Sequence, residues 1–208
     1  GSGLFIDEPQ MQLQATADYD LETGAVRLTN TSLHSQAIVA EAKELSIATP
    51  ADGPMQASGT ATWQGDLYRL ARWTQDPLAP PSTQYWGRLQ GQVNFTHSPQ
   101  AIAARLSTTI NDLVAASPSG QSVREPKVDL ALDCTYDRAA DHLKIARAAL
   151  ASQALGCDMA GSIAKATSER HLDLAGKLNY DFAQLRPMLE PYLGADVQIT
   201  GRETRDLA

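Results

Sequence analysis

Val128-Asp129-Leu130-Ala131-Leu132-Asp133-Cys134-Thr135-Tyr136-Asp137 opens a stretch, 128–180, whose layout is already present at residues 11–63. Tyr19-Asp20 answers Tyr136-Asp137, Ser35-Gln36-Ala37 answers Ser152-Gln153-Ala154, Gly59 answers Gly176, and Trp63 answers Tyr180. Each pair lies 117 positions apart, so the two stretches align without a gap. Leu13/Leu130, Val26/Leu143, Leu28/Ile145, Leu33/Leu150 and Ile38/Leu155 keep apolar character at the same offset. A fixed period of this kind is the mark of a duplicated structural unit. Inside the first copy Met11, Leu13, Ala15, Ala17 and Tyr19 alternate with Gln12, Gln14, Thr16 and Asp18. A period of two is that of a strand with one face buried.

Working outward, Asp20–Gly24 reads as a turn and Val26–Thr31 as the return strand. Leu33–Ile47 reads as one or two further strands, although Ala40–Leu45 also fits a helical turn. The cluster Thr49-Pro50-Ala51-Asp52-Gly53-Pro54 is a turn, and Met55–Trp63 a strand. The period then changes: Leu67, Leu70 and Trp73 share a helical stripe behind Asp66, a suitable N-cap. Asp181, Phe182, Leu185 and Leu189 form the counterpart, limited to about two turns by Pro187 and Pro191. A Gly, an apolar residue two on and an aromatic two further recur at Gly59-Ala61-Trp63, Gly91-Val93-Phe95 and Gly176-Leu178-Tyr180. Glycine at a strand start suits a turn exit or bulge. Gln100–Ala116 fits a helix through Ile102, Leu106, Ile110 and Leu113. It fits a strand through Ala104, Leu106, Thr108 and Ile110, which Thr108-Thr109-Ile110 favours. Ser117–Glu125 reads as a polar loop.

The expected organisation is therefore a tag scar and lead-in over 1–10, β unit 1 with a short helix over 11–75, and a Pro-rich linker over 76–84. Connecting strands and a polar loop fill 85–127, β unit 2 with a short helix covers 128–194, and a further, truncated strand begins over 195–208. The fold class is mainly β: an antiparallel sheet of two related four-stranded units, each followed by a short helix, either curled into a U or closed as a sandwich. Gly1-Ser2-Gly3 and the polar end at Gly201–Ala208 read as a piece cut from a longer protein.

The 208 residues, 43% of them hydrophobic, are enough for a real core and argue against a disordered chain. A net charge of −7 argues against a nucleic-acid surface, which needs clustered Lys and Arg, and against docking on anionic lipid. No run of 18 apolar residues offers a transmembrane segment. Cys134 and Cys157 fall two strands apart in a meander, roughly 10 Å at ordinary strand spacing. A disulfide needs closer approach, so free thiols are expected and the compartment is left open.

Motifs of chemistry are missing from the sequence. His34, His97, His142 and His171 have no histidine two to four positions away, the spacing of a metal pair. Asp18, Asp20, Glu22 and Gly24 resemble a calcium loop, but the glycine is misplaced and Thr29 stands where the closing Glu belongs. No nucleophile elbow, P-loop or dinucleotide fingerprint occurs, so no catalytic, cofactor or metal residues are assigned and no enzyme activity is expected. Carboxylates meeting in space, as in a glycosidase, leave a carbohydrate-active fragment as a third reading. Arg69, Arg72, Trp73, Tyr85 and Trp86 form an aromatic-basic patch, read as a short packed helix with solvated arginines.

Leu130 and Leu132, Tyr136-Asp137, Leu143-Lys144-Ile145, Leu150-Ala151-Ser152, Gly161-Ser162-Ile163 and Leu172–Asp181 together resemble the repeating unit of AsmA-like and TamB-like envelope proteins. That resemblance implies long, curled antiparallel sheets with an apolar inner face, a periplasmic or cell-envelope location, and carriage of lipid between membranes or a part in outer-membrane assembly. It carries over no catalytic residues. On this reading Leu13, Leu28, Leu130, Ile145 and Leu174 line an apolar groove, and the partners are lipid acyl chains or neighbouring repeats of the parent protein. The alternative is a structural or protein-binding β module of a secreted or surface protein, with the same residues sealed in a sandwich core.

Overall fold

The computed structural model describes residues 8–22, 24–48, 53–74, 83–118, 120, 122–186 and 200–207. Outside them lie the tag scar, most of the 49–54 turn cluster and the 76–84 linker, and Pro187, Leu189 and Pro191. The chain is mainly β, with 72% in strand, and forms one open, antiparallel sheet of twelve strands. In chain order they are β1 (Met11–Gln14), β2 (Ala17–Asp20), β3 (Ala25–Ser35), β4 (Ile38–Ala48), β5 (Gln56–Asp66) and β6 (Gln84–His97). There follow β7 (Ala101–Ala116), β8 (Ser122–Asp137), β9 (His142–Ala151), β10 (Leu155–Ala164), β11 (His171–Asp181) and β12 (Arg202–Leu207). The spatial order is β1-β3-β4 and onward to β12, with β2 pairing β3 beside β1. Every strand from β3 on hydrogen-bonds to the next, an up-and-down meander that short turns can build.

Several local expectations change. Met11–Tyr19 is not one strand: Ala15 and Thr16 break it, and Thr16 exchanges backbone bonds with Thr29 and Asn30 instead. Ala40–Leu45 is strand, part of β4, and Gln100–Ala116 is the 16-residue strand β7. Residues 122–125 of the expected polar loop already belong to β8. The three recurrent glycines lie inside β5, β6 and β11 rather than at strand starts. Close approach is the reason: a Cβ on Gly91 would sit 2.6 Å from the Trp63 ring, and one on Gly176 would sit 2.2 Å from the Asp158 carbonyl.

The helix α1 (Leu67–Arg72) starts as expected, with the Asp66 carboxylate accepting the Arg69 N–H at 3.0 Å. Residues 182–186 are also helical. The Asp66 N–H donates to the Ala37 carbonyl, and the Asp181 N–H donates to that of Ala154, each at 2.9 Å. The gapless 117 offset therefore holds through β3 and β9 and only into β4 and β10, where it slips by one: Val26 pairs with Ile47, but Leu143 pairs with Ile163. Ile38 pairs with Gly65 and Leu155 with Tyr180, so the hairpin of β10 and β11 is two residues shorter than that of β4 and β5, and Tyr180 answers Gly65 rather than Trp63.

The sheet has no deep core. Ala37, Val128 and Ala154 are the buried apolar residues among those described, and no large side chain is fully buried. The accessible surface is 13,678 Å², against roughly 9,400 Å² for a compact protein of this mass. A closed sandwich seals its inner faces; this sheet does not.

Candidate functional site

Side chains that are direct partners across an antiparallel pair point to the same face. Thr31, Ala42, Ala61, Val93, Leu106, Leu132, Ala148, Met159, Gly176 and Leu207 are successive partners in one row from β3 to β12. One residue along, Glu41, Thr62, Gln92, Ser107, Ala131, Ala149, Asp158, Lys177 and Asp206 make the adjacent row on the opposite face. The sheet is two-sided: apolar on one side across its width, largely polar on the other.

All five residues expected in a groove lie on the apolar side. Leu13 pairs with Leu33, whose row continues through Ala40, Trp63, Gly91 and Thr108 to Leu130. Ile145 pairs with Gly161 and through it with Leu174. Leu28 pairs with Leu45 beside the Val26–Ile47 pair. Leu28, Leu130, Ile145 and Leu174 are half-buried, and Leu13 is 69% exposed. The middle strands add residues absent from the expected set, among them Leu89, Val93 and Phe95 of β6 and Leu106 and Ile110 of β7. Period-two alternation in those strands was the signal that could have found them.

Strand bulges keep this face continuous. The pairing of β9 with β8 shifts between Asp133 and Cys134, and that of β6 with β7 shifts at Gly87, where φ is +146°. Without such shifts every residue beyond would change sides. Both cysteines are free and belong to the apolar face, Cys134 opposite Ile145 and Cys157 opposite Leu150. Burial pushes the Cys134 thiol up from its ordinary pKa, with the Asp133 charge adding to it.

The polar face is stitched by in-register pairs: Arg105–Asp133 at 2.6 Å, Thr60–Asn94 at 2.6 Å and Thr109–Asp129 at 2.7 Å. Lys127, then Thr109, hold the Asp129 carboxyl below its ordinary pKa. A depression of about 790 Å³ lies on this side across β4–β9, lined by Glu41, Gln64, Gln92, Asp129 and Arg147. It lies behind the apolar face, not along it. Arg147 is spent on Asp158 at 2.9 Å. No group of three or more His, Cys, Asp or Glu among the described residues is placed to hold a metal ion.

The aromatic-basic patch is a packed helix end. Tyr68 stacks on Trp86 with ring centroids 5.7 Å apart, the Trp73 indole donates to Glu8, and Arg69 donates to Gln36 at 2.6 Å. Both Arg69 and Arg72 are exposed.

A pair of carboxylates was missed in the sequence. Glu125 is 6% exposed, and its oxygens accept from the Gln153 and Ala154 N–H groups, each at 2.9 Å, and from Ser152 Oγ at 3.2 Å. Glu8 accepts from the Gln36 N–H at 3.2 Å. Glu8-Pro9 and Glu125-Pro126 stand at the same 117 offset, a legible signal. These carboxylates hold turns and present no reactive geometry.

No helix of the described residues is long and apolar enough to cross a membrane. No protein-family model, curated protein or solved structure matches the chain.

Proposed function

We propose that this chain is a non-catalytic segment of a large AsmA/TamB-like cell-envelope protein that offers an apolar surface to lipid acyl chains in the periplasm. The observation that carries the reading is the apolar face: it crosses the sheet in register from β3 to β12 with its large side chains half-exposed. A single-layer sheet with such a face leaves apolar surface in water at about 25 cal/mol per Å², so it calls for a covering ligand or layer. Acyl chains meet that need without directional bonds, which suits a face whose central strands are mainly apolar; Glu203 and Arg205 stand on its β12 edge. The same reading takes the sheet as two related four-stranded units, β1–β5 with β1 and β2 as one broken strand and β8–β11, each followed by a short helix, with β6 and β7 between them. The turns held by Glu8 and Glu125 and the shared Asp–Ala backbone bonds support it.

Native mass spectrometry with lipid extraction, on protein purified from a bacterial host, tests the proposal. Co-purifying phospholipid is expected, and it is lost when Leu130→Asp and Ile145→Asp are introduced in a chain that keeps its β circular dichroism. A lipid-free, compact monomer overturns lipid carriage and leaves a protein-binding β module as the better reading.

A further inference from the structure

The β1–β2 pair and β8 occupy matching places. Leu13 pairs with Leu33 as Leu130 pairs with Leu150, and Tyr19 pairs with Val26 as Tyr136 pairs with Leu143. What differs is the other side. β7 lies along β8, setting Ile110 against Val128 and Thr108 against Leu130. Among the described residues no strand lies along the corresponding side of β1–β2. The exposures follow: Val128 is 8% exposed and Met11 46%, while Leu130 and Tyr136 are half-buried and Tyr19 is 62% exposed.

From this we infer that the β1–β2 edge is a strand-accepting site. Its occupant is an extended polypeptide segment that adds antiparallel, with apolar residues at alternate positions in the manner of Ile102, Leu106 and Ile110. Main-chain hydrogen bonds supply the attachment, and the alternation places apolar side chains over Met11, Leu13 and Tyr19. Part of the usual protection is missing: Met11–Asp20 contains no Pro or Lys, and its acids, Asp18 and Asp20, sit at polar-face positions, so the break at Ala15 and Thr16 between two four-residue strands is the main guard of this edge. The opposite edge is protected. β12 is Arg202-Glu203-Thr204-Arg205-Asp206-Leu207, and its apolar-face positions include Glu203 and Arg205. A second copy bringing β12 to β1 meets two obstacles. Those charges would face Leu13, and the two strands run in the same direction in the meander, so the pairing would be parallel. The inference stands on strand pairing and not on what covers the apolar face.

The test uses the full chain and a fluorescent peptide with the sequence of residues 101–116, carrying a solubilising Lys tail. Anisotropy measures binding, and hydrogen exchange locates it. Saturable binding is expected, with exchange slowed tenfold or more at residues 11–20 and unchanged at 202–207. Leu13→Asp with Tyr19→Asp, both at exposed positions, weakens binding tenfold or more. A control peptide exchanges Ile102, Leu106 and Ile110 with Ala103, Ser107 and Asn111, which moves the apolar residues to the other face; it does not bind. Absence of binding, protection at 202–207 instead, or equal binding of the control overturns the site. A protein dimer that protects 11–20 without peptide overturns this occupant in favour of self-pairing.

Discussion

The turns at Ser35–Ile38 and Ser152–Leu155 share their hydrogen bonds and differ in their surroundings. Ser35 Oγ accepts from the Ile38 N–H at 3.0 Å, as Ser152 Oγ does from the Leu155 N–H at 3.1 Å. A glutamate 27 residues before each serine receives the next N–H. Yet Glu125 is buried and takes three donors, whereas Glu8 is half-buried and takes one N–H from its turn. Glu125 belongs to β8, flanked by β7, where Leu113 is its partner; Glu8 lies before β1 begins. Local sequence makes the turn, and the neighbouring strand decides how much the turn depends on its carboxylate.

Three pairs of substitutions break or sharpen this contrast between the two stretches. The largest effect is expected at a glycine. Gly176→Ala forces a Cβ against the Asp158 carbonyl and should cost about 3 kcal/mol in urea unfolding. Gly59→Ala meets Leu45 Cδ1 at 3.1 Å and Leu45 Cα at 3.2 Å, which a shift of a few tenths of an ångström relieves, and should cost about 1 kcal/mol. Equal costs would mean that the two-residue slip between β5 and β11 is not present in solution. Next, Glu125→Ala leaves two N–H groups without their acceptor beside buried Ala154, at about 2–3 kcal/mol. Glu8→Ala at its half-buried position should cost under about 1 kcal/mol. A Glu8→Ala loss as large as that of Glu125→Ala would refute the burial difference.

The smallest effect is in pH. The Tyr136 hydroxyl first, and Thr167 after it, hold Asp141 below its ordinary carboxylate pKa. A group depressed in the folded state adds stability that is present above its unfolded pKa and lost as pH falls through the lower folded one. Tyr136→Phe should therefore flatten the acid limb of stability against pH. The matching Tyr19→Phe should leave it unchanged, because Tyr19 is exposed and Gly24 stands where Asp141 does. An unchanged acid limb in Tyr136→Phe would remove Asp141 from the account.

Much of the fold is legible in particular residues. The alternation of Met11–Tyr19 and Val128–Tyr136 reveals strands and names which side chains share a face, because successive side chains on a strand point oppositely whatever it pairs with. The caps Asp66 and Asp181 mark the helix starts for an equally local reason. The five groove residues come out on one face because bulges at Asp133/Cys134 and Lys43/Ser46 reset the alternation where it would otherwise turn Ile145 and Leu28 to the other side. Glu125 was not legible as buried, because its environment comes from Leu113 and from the Ser152–Leu155 turn, distant in sequence. Nor was the slip between β5 and β11, since Gly, an apolar residue two on and an aromatic four on recur in both strands at the 117 offset and favour it, whereas the positions that correspond in the sheet, Trp63 with Leu178 and Gly65 with Tyr180, are unlike.

By itself, then, the sequence determined a two-sided β chain with repeated turns, since strand period, cap residues and turn residues act within a few positions of themselves. Only the tertiary structure decided that the strands join one open sheet. It also decided that the apolar side stays half-exposed, that no described strand lies along the outer side of β1–β2, and that one of two like carboxylates is buried. Those properties depend on which strand lies alongside, and pairing energy is similar for many partners until a register places whole rows of side chains together.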